Sequence, residues 1–88
     1  MQRDEFDKQV QEFLRAINAE AGNHEFPAVI GPDDNLFDMG LVTSFSVIRM
    51  IVFIEEISGT TIELSDHELE RFYTLRGLYD LVDAGEQR

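Results

Sequence analysis

The sequence predicts an all-α fold, a four-helix bundle with a long first loop and a short third helix. Three observations carry this reading. Two segments place apolar residues at spacings of three and four, Phe6, Val10, Phe13, Leu14 and Ile17 in the first and Leu75, Leu78, Leu81 and Val82 in the last. Between them, residues 44–58 are too long for a buried strand and end on Glu55-Glu56, which favours a helix despite the β-branched content. Helix punctuation, namely Gly22-Asn23, Gly59 and a Ser65-to-Glu68 capping box, falls where such segments should stop or start.

In order, a helix is expected over about 4–19, with Asp4, Glu5 and Asp7 near its start where negative charge complements the helix dipole. The stretch 20–43 reads as a loop, broken by Pro27, Gly31, Pro32 and Gly40 and carrying the turn residues Asp33-Asp34-Asn35. Val29, Ile30, Leu36 and Phe37 are its expected apolar anchors. Loops of this length in compact domains tend to be functional. The second helix, about 44–58, carries Phe45, Val47, Ile48, Met50, Ile51, Val52, Phe53, Ile54 and Ile57. These residues point nearly all round a helix, so some should line a cavity or face a partner. Ser65-Asp66-His67-Glu68 is expected to open a short helix over 65–72, and Thr74 precedes a last helix over 74–84.

The 88 residues are read as one domain, 1–88, with one modest core and no room for a deep cleft. A chain this size buries roughly 60–65% of its unfolded surface. At 43% hydrophobic and 28% charged it is globular in composition. Its 18 acidic and 7 basic residues give a net charge of -11, which repels nucleic acid and anionic lipid and draws proteins with basic patches. No cysteine is present, so there is no disulfide framework and no thiolate metal site. The start, Met1 to Glu5, lacks a signal-peptide pattern, and the longest apolar run, Met50 to Ile54, is far short of a span of roughly 20 residues. A cytoplasmic protein is expected.

Other chemistries are poorly served. His24 and His67 are far apart and have no paired-ligand spacing; both read as solvated surface residues. A calcium loop starting at Asp33 would need an oxygen ligand, a glycine and a glutamate where Phe37, Asp38 and Ser44 stand. The string Gly40 to Phe45 is not a nucleophile elbow. Taken alone, Thr43 or Ser44 reads as a plain helix N-cap.

The surrounding string changes that reading. Asn35-Leu36-Phe37-Asp38-Met39-Gly40-Leu41-Val42-Thr43-Ser44-Phe45 resembles the attachment motif of acyl and peptidyl carrier proteins of the stand-alone type. Members show a leucine-phenylalanine or similar pair, an acidic residue, a glycine and then Asp-Ser-Leu at the start of the second helix. The match runs on through Val47, Ile48, Met50, Ile51, Phe53, Ile54, Glu55, Glu56, Gly59 and Ile62, and resumes at Phe72-Tyr73-Thr74-Leu75, Leu78 and Leu81-Val82. The resemblance implies an acyl-carrier-type four-helix bundle. It also implies that a transferase moves phosphopantetheine from coenzyme A to the Ser44 hydroxyl, whose position at a helix start suits an anionic phosphodiester. The arm ends in a thiol and the chain catalyses nothing.

Two residues depart from the pattern. Thr43 stands where acyl carriers usually have aspartate, and it cannot pair with an arginine of the transferase. Arg49 puts a positive charge where fatty-acid carriers are commonly acidic. Thr43 points to a broad-specificity transferase, and both departures point away from a fatty-acid role, toward specialised biosynthesis of polyketide or nonribosomal peptide type. Gly40 to Ser44 is one residue longer than in fatty-acid carriers, as in the D-alanyl carrier. A D-alanyl or fatty-acid carrier is one alternative; an unmodified carrier-like interaction module is the other.

Phe45, Ile48 and Val52 form a stripe beside Ser44, read as a docking face with Thr43, Arg49 and Glu56 around it. An ordinary core position is the alternative for Ile48 and Val52. Glu63, Asp66, Glu68 and Glu70 form a second acidic patch. The partners implied are a phosphopantetheinyl transferase, an acyl- or aminoacyl-loading enzyme and a downstream synthase or transferase. Nucleic acid and membrane are not among them, and a monomer is expected.

Overall fold

The fold was obtained as a computed structural model and describes residues 2–23, 26–63, 65 and 67–86. Helix α1 spans Arg3–Glu20, α2 Ser46–Ser58 and α3 Leu75–Glu86, with a 3-10 turn at Leu69–Phe72. The described residues contain no strand. No helix among them is long and apolar enough to cross a membrane.

Helix α1 buries the predicted stripe of Phe6, Val10, Leu14 and Ile17. It packs against both other helices. Phe13 stacks on Phe53 of α2 at 4.5 Å between ring centres, and Phe6 meets Tyr79 of α3 edge-on at 5.4 Å. Of these rings only Phe6 is fully buried, and such burial contributes on the order of 2 kcal/mol. The helix stops where the sequence signalled. Gly22 takes φ 84, a left-handed value that costs an L side chain but not glycine. Its amide donates to Ala19 O at 3.1 Å and the Asn23 amide to Asn18 O at 2.8 Å, which closes the last turn.

Helix α2 buries Val47, Met50, Ile51 and Ile54 and leaves Phe53 and Ile57 partly covered. The expected start at 44 corresponds to an ordered turn over 43–46 that winds into the helix, since the Val47 amide donates to Thr43 O at 2.9 Å. Helix α3 buries Leu75, Leu78, Leu81 and Val82. Thr74 begins it by accepting the Gly77 amide at 3.0 Å on its hydroxyl.

The short third helix requires correction. Among the described residues the α-helices number three, and the short third helix is replaced by 3-10 structure, at Ser65 and over Leu69–Phe72. No helix runs from 65 to 72, because Glu68 is extended at φ -69 and ψ 142 and interrupts it; no side chain caps the turn that follows. Asp66 of the expected capping box lies outside the described residues. The turn nevertheless buries Phe72, and α3 lies directly on it. A Cβ on Gly77 would collide with the Arg71 carbonyl, so the close approach requires glycine.

The first loop is tied down, though not by every expected anchor. Ile30 and Leu36 are buried and Phe37 packs against the core and Tyr73, whereas Val29 is 78% exposed. Polar clips complete the work. Arg76 of α3 donates to Asp33 through Nε at 2.7 Å and Nη2 at 3.0 Å. The Leu36 amide donates to Tyr73 O at 2.7 Å and the Arg76 amide to Pro32 O at 3.0 Å.

Candidate attachment site

The approach to α2 is built from a single helical turn. Asn35 accepts the amides of Phe37 and Asp38 on its side-chain oxygen, at 2.9 and 3.0 Å, and so caps the turn. Gly40 ends it at φ 74, and the Leu41 amide then reaches back to Leu36 O at 3.0 Å. Leu41 and Val42 follow as buried residues and hold the chain on the core. Thr43, Ser44 and Phe45 come out into solvent.

The three hydroxyls of this segment have distinct roles. Thr43 Oγ1 accepts the amides of Phe45 and Ser46, each at 3.2 Å. Ser46 Oγ accepts the Thr43 amide at 2.8 Å, so the two residues cap the helix reciprocally. Of the two cap candidates, Thr43 is the cap. Ser44 follows it in the first turn, exposed, and its hydroxyl has no hydrogen-bond partner among the described residues. No acidic residue lies in that turn.

This arrangement fits a phosphodiester on Ser44. The hydroxyl is accessible, no carboxylate of the turn repels the incoming charge, and the positive end of the α2 dipole lies beneath it. The amides of Phe45 and Ser46 already serve Thr43, so the benefit to an anion is the field of the helix rather than those two donors.

Asn18 was not singled out in the sequence, yet it organises the site. Buried at the end of α1, it donates from Nδ2 to Leu14 O at 2.8 Å and to Leu41 O at 2.9 Å. Its Oδ1 accepts from Asn23 at 2.9 Å. The one hint was its phase, one turn beyond Leu14 on the apolar side of α1. Beside it a cavity of about 310 Å³ opens between the end of α1 and the start of α2, reaching Ala21, Leu41, Phe45 and Arg49.

The candidate docking stripe lies on the open side of α2. Phe45 is 89% exposed, Ile48 49% and Val52 47%, so the core reading of Ile48 and Val52 is wrong. Glu56 is exposed on the same helix. Arg49 is exposed too, and its Nη1 meets Glu20 Oε2 of α1 at 3.2 Å. Glu63, Glu68 and Glu70 are exposed, whereas Asp66 and His24 lie outside the described residues. His67 is half-buried rather than fully solvated, with its ring edge-on to Phe72 at 6.4 Å. Among the described residues no cluster of side chains could hold a metal.

Fold and site together define a small helical domain that presents, at a helix start, one exposed hydroxyl with no hydrogen-bond partner among the described residues. The family model described as a phosphopantetheine attachment site matches residues 10–82, and the chain belongs to that family. Its domains are carriers that hold phosphopantetheine covalently, are generally non-catalytic, and interact with phosphopantetheinyl transferases and biosynthetic enzymes. No curated protein and no solved structure matches the chain.

Proposed function

We propose that Ser44 carries the phosphopantetheine arm and that the chain holds an acyl or aminoacyl intermediate as a thioester in specialised biosynthesis, of polyketide or nonribosomal peptide type. The observation that carries the assignment is the division of the hydroxyls: Thr43 and Ser46 are committed to each other's backbone, and Ser44 is free and exposed. The Ser44 hydroxyl displaces adenosine bisphosphate from coenzyme A. Its oxygen bonds the phosphorus, the pyrophosphate bond breaks, and the hydroxyl proton passes to the transferase. When attached, the arm supplies the thiol that this cysteine-free chain lacks.

The neutral Thr43 favours a transferase that does not read an aspartate before the serine. Phe45, Ile48 and Val52 form the face that the transferase, the loading enzyme and the downstream synthase would read, with Arg49 and Glu56 setting orientation. A monomer in the cytoplasm fits the charge and the lack of cysteine.

Intact-protein mass decides the matter, after incubation with coenzyme A, magnesium and a broad-specificity transferase. One added arm, retained in Thr43→Ala and lost in Ser44→Ala, is the expected result. No gain with several transferases would leave an unmodified interaction module as the correct reading.

A further inference from the structure

We infer that the cavity between the end of α1 and the start of α2 seats the near end of the arm, the branched apolar portion that follows its phosphate. This rests on the carrier reading with Ser44 as the attachment point.

Position is the first support. The lining includes Thr43 on one side of Ser44 in the chain and Phe45 and Ser46 on the other. A group tethered at Ser44 therefore meets this cavity at a high effective concentration without leaving its anchor.

Chemistry is the second support. Ile17, Ala21, Leu41 and Phe45 supply apolar wall. The polar lining is mostly committed elsewhere. Asn18 uses both amide hydrogens on Leu14 O and Leu41 O, and Thr43 and Ser46 cap each other. What remains at the rim is Arg49, the one charged side chain of the lining, held by exposed Glu20. An apolar wall beside one guanidinium suits a branched hydrocarbon next to an anionic phosphodiester. The two amides farther along the arm would find few free partners there.

Size and rigidity agree. At about 30 Å³ per water-sized group, the cavity of about 310 Å³ holds on the order of ten non-hydrogen atoms. That is the near portion of the arm and less than its full length. The cavity is also preformed, because Asn18 and Asn23 pin the end of α1 to the segment leading into Ser44. Little ordering of the protein is required on docking.

The test is isotope-filtered NOE spectroscopy on ¹³C-labelled chain bearing an unlabelled arm from coenzyme A, with attachment verified by mass. NOEs from the arm's paired methyl groups to the methyls of Ile17, Ala21 and Leu41 are expected. They should vanish in Ala21→Phe, a change at an exposed position that fills the cavity. A chain that carries the arm but shows no such NOEs, or shows them only to residues of α3, overturns the inference and leaves the carrier reading standing. A chain that never gains the arm sinks both.

Discussion

Asn18 and Leu41 lie 23 positions apart in sequence and share a buried hydrogen bond of 2.9 Å, from the amide of one to the carbonyl of the other. That bond joins the end of α1 to the segment that delivers Ser44. Replacing Asn18 by Leu leaves the Leu41 carbonyl and the Asn23 amide without this partner, which costs about 1–3 kcal/mol. Urea unfolding should show the loss as a lower midpoint at unchanged slope. A midpoint equal to the wild type would mean that the knot is incidental.

Thr43 is expected to act through its oxygen. Thr43→Val keeps the shape and deletes the acceptor of two amides, for a loss of about 1 kcal/mol. Thr43→Asp restores an acceptor and adds charge at the helix start, returning the loss with a gain of about 0.3–1 kcal/mol. Thermal melts of the pair distinguish capping from generic packing. If both variants melt together, the cap is not what Thr43 provides.

Gly77→Ala runs against helix propensity. Alanine is better than glycine in a helix interior by about 1 kcal/mol, so an open site would gain stability. Here the new methyl group meets the Arg71 carbonyl. We expect a net loss of about 1–3 kcal/mol, as for other overpacked positions. A stabilised Gly77→Ala would show that the 3-10 turn yields easily.

The Asp33–Arg76 clip has a pH signature. Its hydrogen bond with Arg76 holds the Asp33 carboxyl below the ordinary 3.8. Since the folded value is depressed, the clip's stabilisation is present above 3.8 and is lost as pH falls through the lower folded value. Asp7 acts oppositely, because burial raises its carboxyl above 3.8 despite Arg3, so its contribution improves as pH falls. Asp33→Asn should flatten the acid limb of the stability profile, and salt should weaken the clip in the wild type, since both partners are exposed. An unchanged acid limb would show that this pair is not coupled to folding.

Much of this was legible in the sequence because it is local. The stripes of α1 and α3 and the glycine stops at Gly22 and Gly59 follow from periodicity and turn chemistry, whereas Ser44, which alone reads as a plain cap, was marked out by the resemblance of the string around it. The exposed stripe of Phe45, Ile48 and Val52 was legible as an excess, since a core this small could not cover every apolar residue of α2. What failed depended on tertiary context. The box at Ser65 and Glu68 carries a helix-start pattern, but Glu68 is extended, and the chain instead turns tightly onto Gly77. Val29 lies in a segment with no period, so nothing local separates it from Ile30, which is buried. Asn18 shows a polar residue in an apolar phase, but its partner lies across the loop.

Phe45 keeps an aromatic ring in water beside Ile48 and Val52, a surface on which two copies could meet. At neutral pH a charge of -11 on every copy opposes that encounter. Near pH 4.3 the net charge vanishes and the opposition goes with it. The chain therefore owes its colloidal stability to its carboxylates, and near that pH the exposed apolar patch becomes a self-adhesive one.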